Sequence, residues 1–296
     1  QGQSGMLGVA ADPEFAVNRF VYVYMLSNLD NPANRVVRLT VDTGYTTVSA
    51  RMDIVAGIAY KKTFNFWGGA GTHSGGRLRF SPVDGFLYVT TGDNHDGPLP
   101  QDLTRLGGKT LRINRDGSVP RDNPAIVGAR PEIWSYGHRN PQGAAIRPGG
   151  DALWINEHGP QGGDELNLVQ PGGNYGWPLV SYGCPYGSPV GGTCWIGGGI
   201  HAPAYIEPAS YWIPISIAPS GLIFYTGNGF SQWQGHVFMG ALAGLALWRI
   251  ELNGNTEVAR ERLFADLAER IRDVEQGPDG WIYLLTDSGK LIQIRN

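Results

Sequence analysis

The sequence is poor in cysteine, in charged residues and in long apolar runs. Only 17% of its 296 residues are charged, the net charge is -3, and Lys and Arg form no cluster. Because phosphate binding relies on clustered basic side chains, this composition argues against nucleic acid as the main partner. No apolar stretch approaches the ~20 residues that a bilayer-spanning helix requires, so we expect no membrane span.

The two cysteines, Cys184 and Cys194, enclose a short Gly/Pro-rich segment that has no metal-ligand spacing. We expect them to form a disulfide, which favours an oxidising compartment and hence a periplasmic or secreted protein. The alternative is a pair of unpaired thiols in a cytosolic loop.

Glycine, proline and aromatic residues are plentiful, with 44 Gly, 20 Pro, 9 Trp, 13 Tyr and 10 Phe. The aromatic residues supply enough apolar surface for a core, and the glycines and prolines indicate many turns. One formula recurs along the chain: a short strand ending in Pro, a Gly-containing turn and an aromatic or β-branched strand. Residues 77–91, 143–156, 217–226 and 274–286 are examples.

A unit of four short strands repeated about every 50 residues is typical of a β-propeller. We therefore predict an all-β fold, a single β-propeller domain over residues 1–296, with about five four-stranded blades. A β-sandwich would not repeat the same unit of strand, Gly-containing turn and strand along the chain. A long Gly/Pro-rich insert at about 172–210 interrupts this repeated strand–turn–strand pattern. Residues 257–270 are either a short helix or an outer strand with its loop.

Polar groups recur at the start of successive blades, where the innermost strands of a propeller line its channel. An imidazole held there between glycines, as His73 is, suits a general base. Arg139 and Asn140 lie between Gly137 and Pro141 in a rigid turn. Further rim positions are Gln3, residues 158–160, Trp212 and the pair Arg270 and Arg272.

These groups suggest one site. Three arginines and a stacking Trp suit a flat polycarboxylate cofactor. The loop carbonyls after His158, next to the carboxylates of Asp164 and Glu165, are hard oxygen ligands of the kind that calcium prefers. The neighbouring segment Gly92–Gly97, which contains His95, looks like an exposed turn. His201 and His236 have no charged neighbours in sequence and are expected in core or surface roles.

The chain resembles the soluble pyrroloquinoline quinone (PQQ)-dependent glucose/sorbosone dehydrogenases, and within them the aldose sugar dehydrogenase type. The resemblance covers nearly the whole chain. The motifs that carry it are residues 2–8 (GQSGMLG), 73–78 (HSGGRL), 136–143 (YGHRNPQG), 157–161 (EHGPQ), 164–167 (DELN), 173–178 (GNYGWP) and 270–273 (RIRD).

The resemblance implies a PQQ- and calcium-dependent oxidation of aldose sugars at C1 to lactones, with a soluble electron acceptor. His73 would take the proton from the anomeric hydroxyl, and Arg139 would polarise the accepting carbonyl. The other implied cofactor or substrate contacts are Gln3, Asn140, Tyr186, Arg270 and Arg272, and the implied calcium ligands are the carbonyls of Gly159 and Pro160, with Glu165 and the Tyr175 backbone at a further site.

Three departures qualify the match. Thr72 and Ala243 stand where glucose-type members carry Asp and Lys, which points to the broader aldose type. The family has six blades, and this chain starts where we expect the second. The missing blade would be explained by a truncation, by a five-bladed variant or by a ring that a partner closes. Two other functions therefore stay open: a calcium-dependent sugar-lactone hydrolase and a binding propeller without catalysis.

Overall fold

The computed structural model describes residues 5–28, 31–63, 68–191 and 193–296. The chain divides into two compact units: Gln1–Pro141 with Gln170–Pro178, and Gln142–Val169 with Leu179–Asn296. The strands of the described residues form five antiparallel sheets, four of four strands and one of three, and neighbours in a sheet follow one another in sequence. These are propeller blades, so the predicted all-β propeller with about five blades is confirmed.

The first unit contains two sheets. The first sheet comprises β1 (Met6–Ala11), β2 (Phe20–Ser27), β3 (Ala33–Val41) and β4 (Val48–Ile58), with a short helix α1 (Phe15–Asn18) between β1 and β2. The second comprises β5 (Gly75–Phe80), β6 (Leu87–Thr91), β7 (Lys109–Ile113) and β8 (Ile133–Tyr136), with a 3₁₀ turn at Leu99–Gln101.

The second unit contains three sheets. Their strands are β9 (Pro141–Ile146), β10 (Leu153–Glu157), β11 (Asp164–Leu168) and β12 (Ser210–Trp212); β13 (Pro219–Phe224), β14 (Val237–Ala241), β15 (Ala246–Asn253) and β16 (Thr256–Leu263); and β17 (Ile271–Gln276), β18 (Ile282–Thr286) and β19 (Leu291–Ile294). 3₁₀ turns occupy Ser231–Trp233 and Ala265–Leu267. Residues 257–270 are thus mainly outer strand β16, one of the two alternatives.

Each unit has its own core, built from the alternating inward residues of its strands. In the first unit Tyr22, Tyr24, Leu78 and Leu111 are buried in one cluster. In the second unit Trp154 packs with neighbouring strands in one cluster and Phe238 in another. The period-2 aromatics of the sequence therefore face the interior.

The recurrent Asp-Gly turn has a local physical cause. Oδ1 of Asp84 accepts a hydrogen bond of 3.0 Å from the Phe86 amide, and Gly85 adopts a positive φ of 72°. Asp279 accepts from the Trp281 amide at 3.2 Å, and Gly280 has a φ of 81°. The side chain stabilises the turn and glycine tolerates its backbone, so these two hairpins close in the same way. The Gly-containing turn expected within residues 217–226 is wrong, because Gly221 lies inside strand β13.

The segment between β11 and β12 contains the disulfide. The sulfurs of Cys184 and Cys194 are bonded, which confirms that prediction. Among the helices of the described residues, none has the length and apolar character needed to cross a bilayer.

Candidate functional site

His73 forms the centre of a buried cluster in the first unit. It lies in the loop between β4 and β5, and its Nδ1 is 2.7 Å from Oδ1 of Asp93, which follows β6. Only 5% of His73 and 2% of Asp93 is exposed. The hydrogen bond places the proton of a neutral imidazole on Nδ1 and the lone pair on Nε2, so Nε2 is the nitrogen that can accept a proton.

Asp93 joins three further segments to this imidazole. Its Oδ2 accepts a hydrogen bond of 2.8 Å from the Trp177 indole, and its Oδ1 accepts one of 2.9 Å from the His95 amide. Its own amide donates to the carbonyl of Arg139 at 2.8 Å. A carboxylate with this many partners is fixed in position, and it fixes His73 in turn.

Burial, together with neighbouring cations, lowers the pKa of both imidazoles in the cluster. Burial and then Arg139 lower the pKa of His73 below its usual value, although Asp93 opposes them. Burial alone would raise the pKa of Asp93, but His73 and Arg139 bring it below the usual value. Burial, followed by His73, lowers the pKa of His95 to about 3. At neutral pH the cluster therefore combines an ionised Asp93 with an unprotonated His73.

Arg139 and Asn140 lie in the same cluster, between β8 and β9. The Arg139 guanidinium stands 5.2 Å from the Trp177 ring centroid, over its face. The Asn140 side chain accepts from the Gly75 amide at 3.3 Å, two residues after His73. The structure therefore brings together His73, Arg139 and Asn140, as the sequence analysis expected.

His138 has a supporting position beneath this turn. It is fully buried, its Nε2 is 2.8 Å from Oγ of Ser135, and its ring stacks on Tyr175 at 4.5 Å. Ser135 contacts the Thr110 hydroxyl at 2.6 Å. This buried hydrogen-bonded chain holds the turn that presents Arg139.

The backbone at the site is strained. His73, Asn94 and His95 have positive φ values of 56°, 54° and 57°, which side chains other than glycine rarely adopt. A Cβ on Gly92 would lie 2.0 Å from the His73 carbonyl oxygen, so the two loops meet where only glycine fits. Such strain is typical of functional sites.

The exposed turn predicted around His95 is wrong. Asp93 and Asn94 are buried, and the His95 ring stacks on the His73 ring with centroids 3.7 Å apart. Asp93 and His95 are therefore site residues that the sequence pattern did not predict. The available signal was their position directly after a strand of the blade that His73 begins.

In the second unit, the predicted calcium ligands Gly159 and Pro160 form a buried turn after β10. No described residue donates a hydrogen bond to either carbonyl oxygen. The amide of Gly159 points the other way and donates to Asp164 at 2.9 Å. Two adjacent carbonyl oxygens without donors fit a hard cation such as calcium.

Glu165 fits a calcium ligand less well. Its Oε1 is 3.3 Å from His201 Nε2, and its Oε2 accepts from Asn167 at 3.1 Å. In the described part of the chain, no group of three or more His, Cys, Asp or Glu side chains is arranged to hold a metal ion. His201 is buried, which fits its expected core role, and its contact with Glu165 comes from the fold and not from neighbours in sequence. His236 likewise lies 2.7 Å from an Arg249 nitrogen.

Arg270 and Arg272 point to one carboxylate. Their Nε atoms lie 2.8 and 2.9 Å from the two oxygens of Asp287. Both guanidinium groups are about half exposed, at 48% and 42%. Guanidinium groups exposed to this extent can contact an anionic ligand.

The other predicted residues have separate surroundings. Trp212 is buried in outer strand β12 against Trp248, with the Arg260 guanidinium 4.4 Å from its ring centroid, and these contacts do not favour stacking on a ligand. Tyr186 is 48% exposed on the disulfide loop, and Tyr175 is buried against His138. Gln3 lies outside the described residues.

The blades define a β-propeller with a buried His73–Asp93 pair, and the proteins that it resembles are dehydrogenases. A sequence model of the glucose / sorbosone dehydrogenase family matches residues 1–293. Aldose sugar dehydrogenase YliI of Escherichia coli (strain K12) is 40% identical over 99% of this chain and 77% of its own.

Two solved structures have the same fold. A crystal structure of a glucose dehydrogenase superposes with a TM-score of 0.88 at 40% identity, covering 100% of this chain and 84% of its own. The PQQ-bound form of aldose sugar dehydrogenase from Streptomyces coelicolor has a TM-score of 0.77 at 31% identity, covering 100% and 80%. The chain belongs to the glucose/sorbosone dehydrogenase family.

Proposed function

We propose that this chain is a PQQ- and calcium-dependent aldose sugar dehydrogenase that oxidises its substrate at C1 to the lactone. Membership of the family makes it a quinoprotein oxidoreductase. The observation that carries the proposed chemistry is the buried pair of His73 and Asp93, 2.7 Å apart, in one cluster with Arg139.

His73 is the general base of this reaction. The hydrogen bond from Nδ1 to Asp93 orients the ring and leaves Nε2 to take the proton of the anomeric hydroxyl. The lowered pKa of His73 keeps the ring unprotonated at neutral pH, so it is ready to accept. The imidazolium that forms is stabilised by the Asp93 carboxylate.

Arg139 provides electrostatic stabilisation for the proposed reaction. PQQ, when bound, supplies the carbonyl group that accepts the hydride from C1. Arg139 would place its positive charge beside that carbonyl, and Trp177 limits the positions that its guanidinium can adopt.

Asn140, Arg270 and Arg272 are proposed to contact the cofactor, since an amide and two half-exposed guanidinium groups suit its carbonyl and carboxylate groups. The Gly159 and Pro160 carbonyls are proposed to hold the calcium ion. Gln3, Tyr186, Glu165 and Tyr175 keep the roles that the resemblance gives them as predictions, and Trp212 stays a prediction from its rim position alone.

We also propose a periplasmic or secreted location and a soluble electron acceptor. The Cys184–Cys194 disulfide supports an oxidising compartment. A single propeller domain is our proposal for the organisation of the chain.

Reconstitution tests the function. The protein is supplied with PQQ and calcium, and the reduction of a dye acceptor is followed with aldoses. We expect sugar-dependent reduction that His73→Ala abolishes, while the exposed control Arg121→Ala reduces dye at the rate of the unmodified protein. Equal rates of dye reduction by the unmodified protein and by His73→Ala would refute the role of His73 as the general base. Lactone hydrolysis without quinone would favour a hydrolase.

A further inference from the structure

The turn that carries the proposed calcium ligands is held by the disulfide-bearing segment. The backbones of Gln161 and Cys184 exchange two hydrogen bonds, from the Gln161 amide at 3.1 Å and from the Cys184 amide at 3.0 Å. The residue next to the ligand carbonyls is thereby paired directly with a disulfide cysteine. The two elements are 23 residues apart in sequence, so this pairing is a tertiary contact.

The Gln161 side chain extends the contact to the tip of the disulfide loop. Its Oε1 accepts a hydrogen bond of 3.0 Å from the Gly187 amide, and its Nε2 donates to the Ser188 carbonyl at 2.5 Å. Both ends of the amide are thus used by backbone groups. Asparagine is one methylene too short to reach both positions.

Close packing leaves the turn little freedom on the same side. A Cβ on Gly183 would lie 2.4 Å from the Gly162 oxygen and 2.6 Å from Cδ of Pro160. A Cβ on Gly163 would lie 2.1 Å from the Gly183 nitrogen. Gly183, directly before Cys184, therefore packs against Pro160, whose carbonyl is a proposed ligand.

The far end of the disulfide is also fixed to this segment. Ile196, two residues after Cys194, donates to the Gly183 carbonyl at 3.1 Å and accepts from the Ser181 amide at 3.0 Å. The disulfide closes the loop between these two paired stretches. Breaking the disulfide would loosen the loop residues Gly187 and Ser188, to which the Gln161 side chain is hydrogen-bonded.

We propose that Gln161, anchored by the Cys184–Cys194 disulfide, is the positioning residue of the divalent-cation loop and sets the affinity with which the Gly159 and Pro160 carbonyls bind calcium. The proposal rests on the calcium site of the proposed function. Carbonyl ligands bind a hard cation well only when their arrangement is fixed before binding, because ordering them costs part of the binding free energy. Gln161 supplies this order without touching the ion.

The test uses Gln161→Met, which keeps the length of the side chain and removes both hydrogen bonds, and Cys184→Ser/Cys194→Ser. Gln234→Met is the matched control, because its amide also donates to a loop carbonyl, that of Gly227 at 3.1 Å, away from the proposed ligands. Calcium is titrated into each apo protein with PQQ present, and the absorbance of the bound quinone gives the dissociation constant. Thermal unfolding without calcium reports stability separately.

We expect Gln161→Met and the cysteine variant to weaken calcium binding about ten-fold, the loss expected for one to two hydrogen bonds, while Gln234→Met binds as the unmodified protein does. Unchanged calcium binding in both variants overturns the positioning role and leaves the proposed function standing. Equal weakening in Gln234→Met also overturns it, since the effect would then not be specific to this loop. An unmodified protein that binds quinone without calcium overturns the calcium site itself.

Discussion

Nδ1 of His73 and Oδ1 of Asp93 are 2.7 Å apart in a buried cluster, although the two residues lie on loops of different strands. The same carboxylate accepts the Trp177 indole N–H at 2.8 Å. An imidazole held in one tautomer by a carboxylate that is itself held is the arrangement a general base requires. We therefore propose Asp93 as the positioning residue of His73.

Asp93→Asn should lower kcat by about 100-fold with little change in KM, because the amide no longer fixes the tautomer of His73 or stabilises the imidazolium. Steady-state kinetics of the reconstituted protein with an aldose and a dye acceptor measure this. Asp96→Asn is the control, since Asp96 pairs at 2.9 Å with the half-exposed Arg105 instead. A rate for Asp93→Asn close to that of the control would remove Asp93 from the mechanism.

The pH profile should show that the base stays unprotonated in mild acid. The pKa of His73 is lowered from 6.5 by burial and by Arg139, so the acid limb of kcat/KM should lie below pH 6.5. In Arg139→Met the removal of a cation favours the imidazolium, so the limb of the residual activity should move to higher pH. Arg105→Met should leave the limb in place. A limb that moves to lower pH in Arg139→Met would contradict this electrostatic account.

The turns of the blades could be predicted from the sequence because their causes are local. Asp84 accepts a hydrogen bond from an amide two residues later, and Gly85 supplies the positive φ, so three neighbouring residues contain the whole signal. The rigid turn that holds Arg139 could also be predicted from its immediate neighbours, because Pro141 follows two residues later. Neither inference needed the tertiary fold.

The pairs that tune the site could not be predicted in this way. Asp93 meets His73 across 20 residues, and His201 meets Glu165 across 36, through loops whose conformations the sequence pattern does not specify. A glycine-rich turn such as Gly92–Gly97 reads as exposed because polar turns usually are. Here burial comes from the neighbouring loops that cover it.

Arg112 should matter for stability. Its guanidinium is 4% exposed and lies 3.0 Å from Asp84 and 2.9 Å from Asp122, over the ring of Phe86. Arg112→Met should lower the free energy of unfolding by about 2 kcal/mol, because it leaves the Asp84 carboxylate without its cation. Denaturant unfolding followed by tryptophan fluorescence measures the change. The exposed Arg121→Met should alter stability by less than about 0.5 kcal/mol, and a similar loss there would show that the effect is not due to burial.

The contact of Glu165 with His201 can be tested by a double-mutant cycle in calcium-free buffer. Their side chains are 9% and 1% exposed, so His201→Ala leaves a buried carboxylate without its partner and should cost about 3 kcal/mol of unfolding free energy. Glu165→Gln with His201→Ala should recover most of this loss, because the buried charge is then gone. If the double variant is as unstable as the sum of the two single variants, the residues act independently. Glu165 would then be open to the calcium role that the family resemblance gives it.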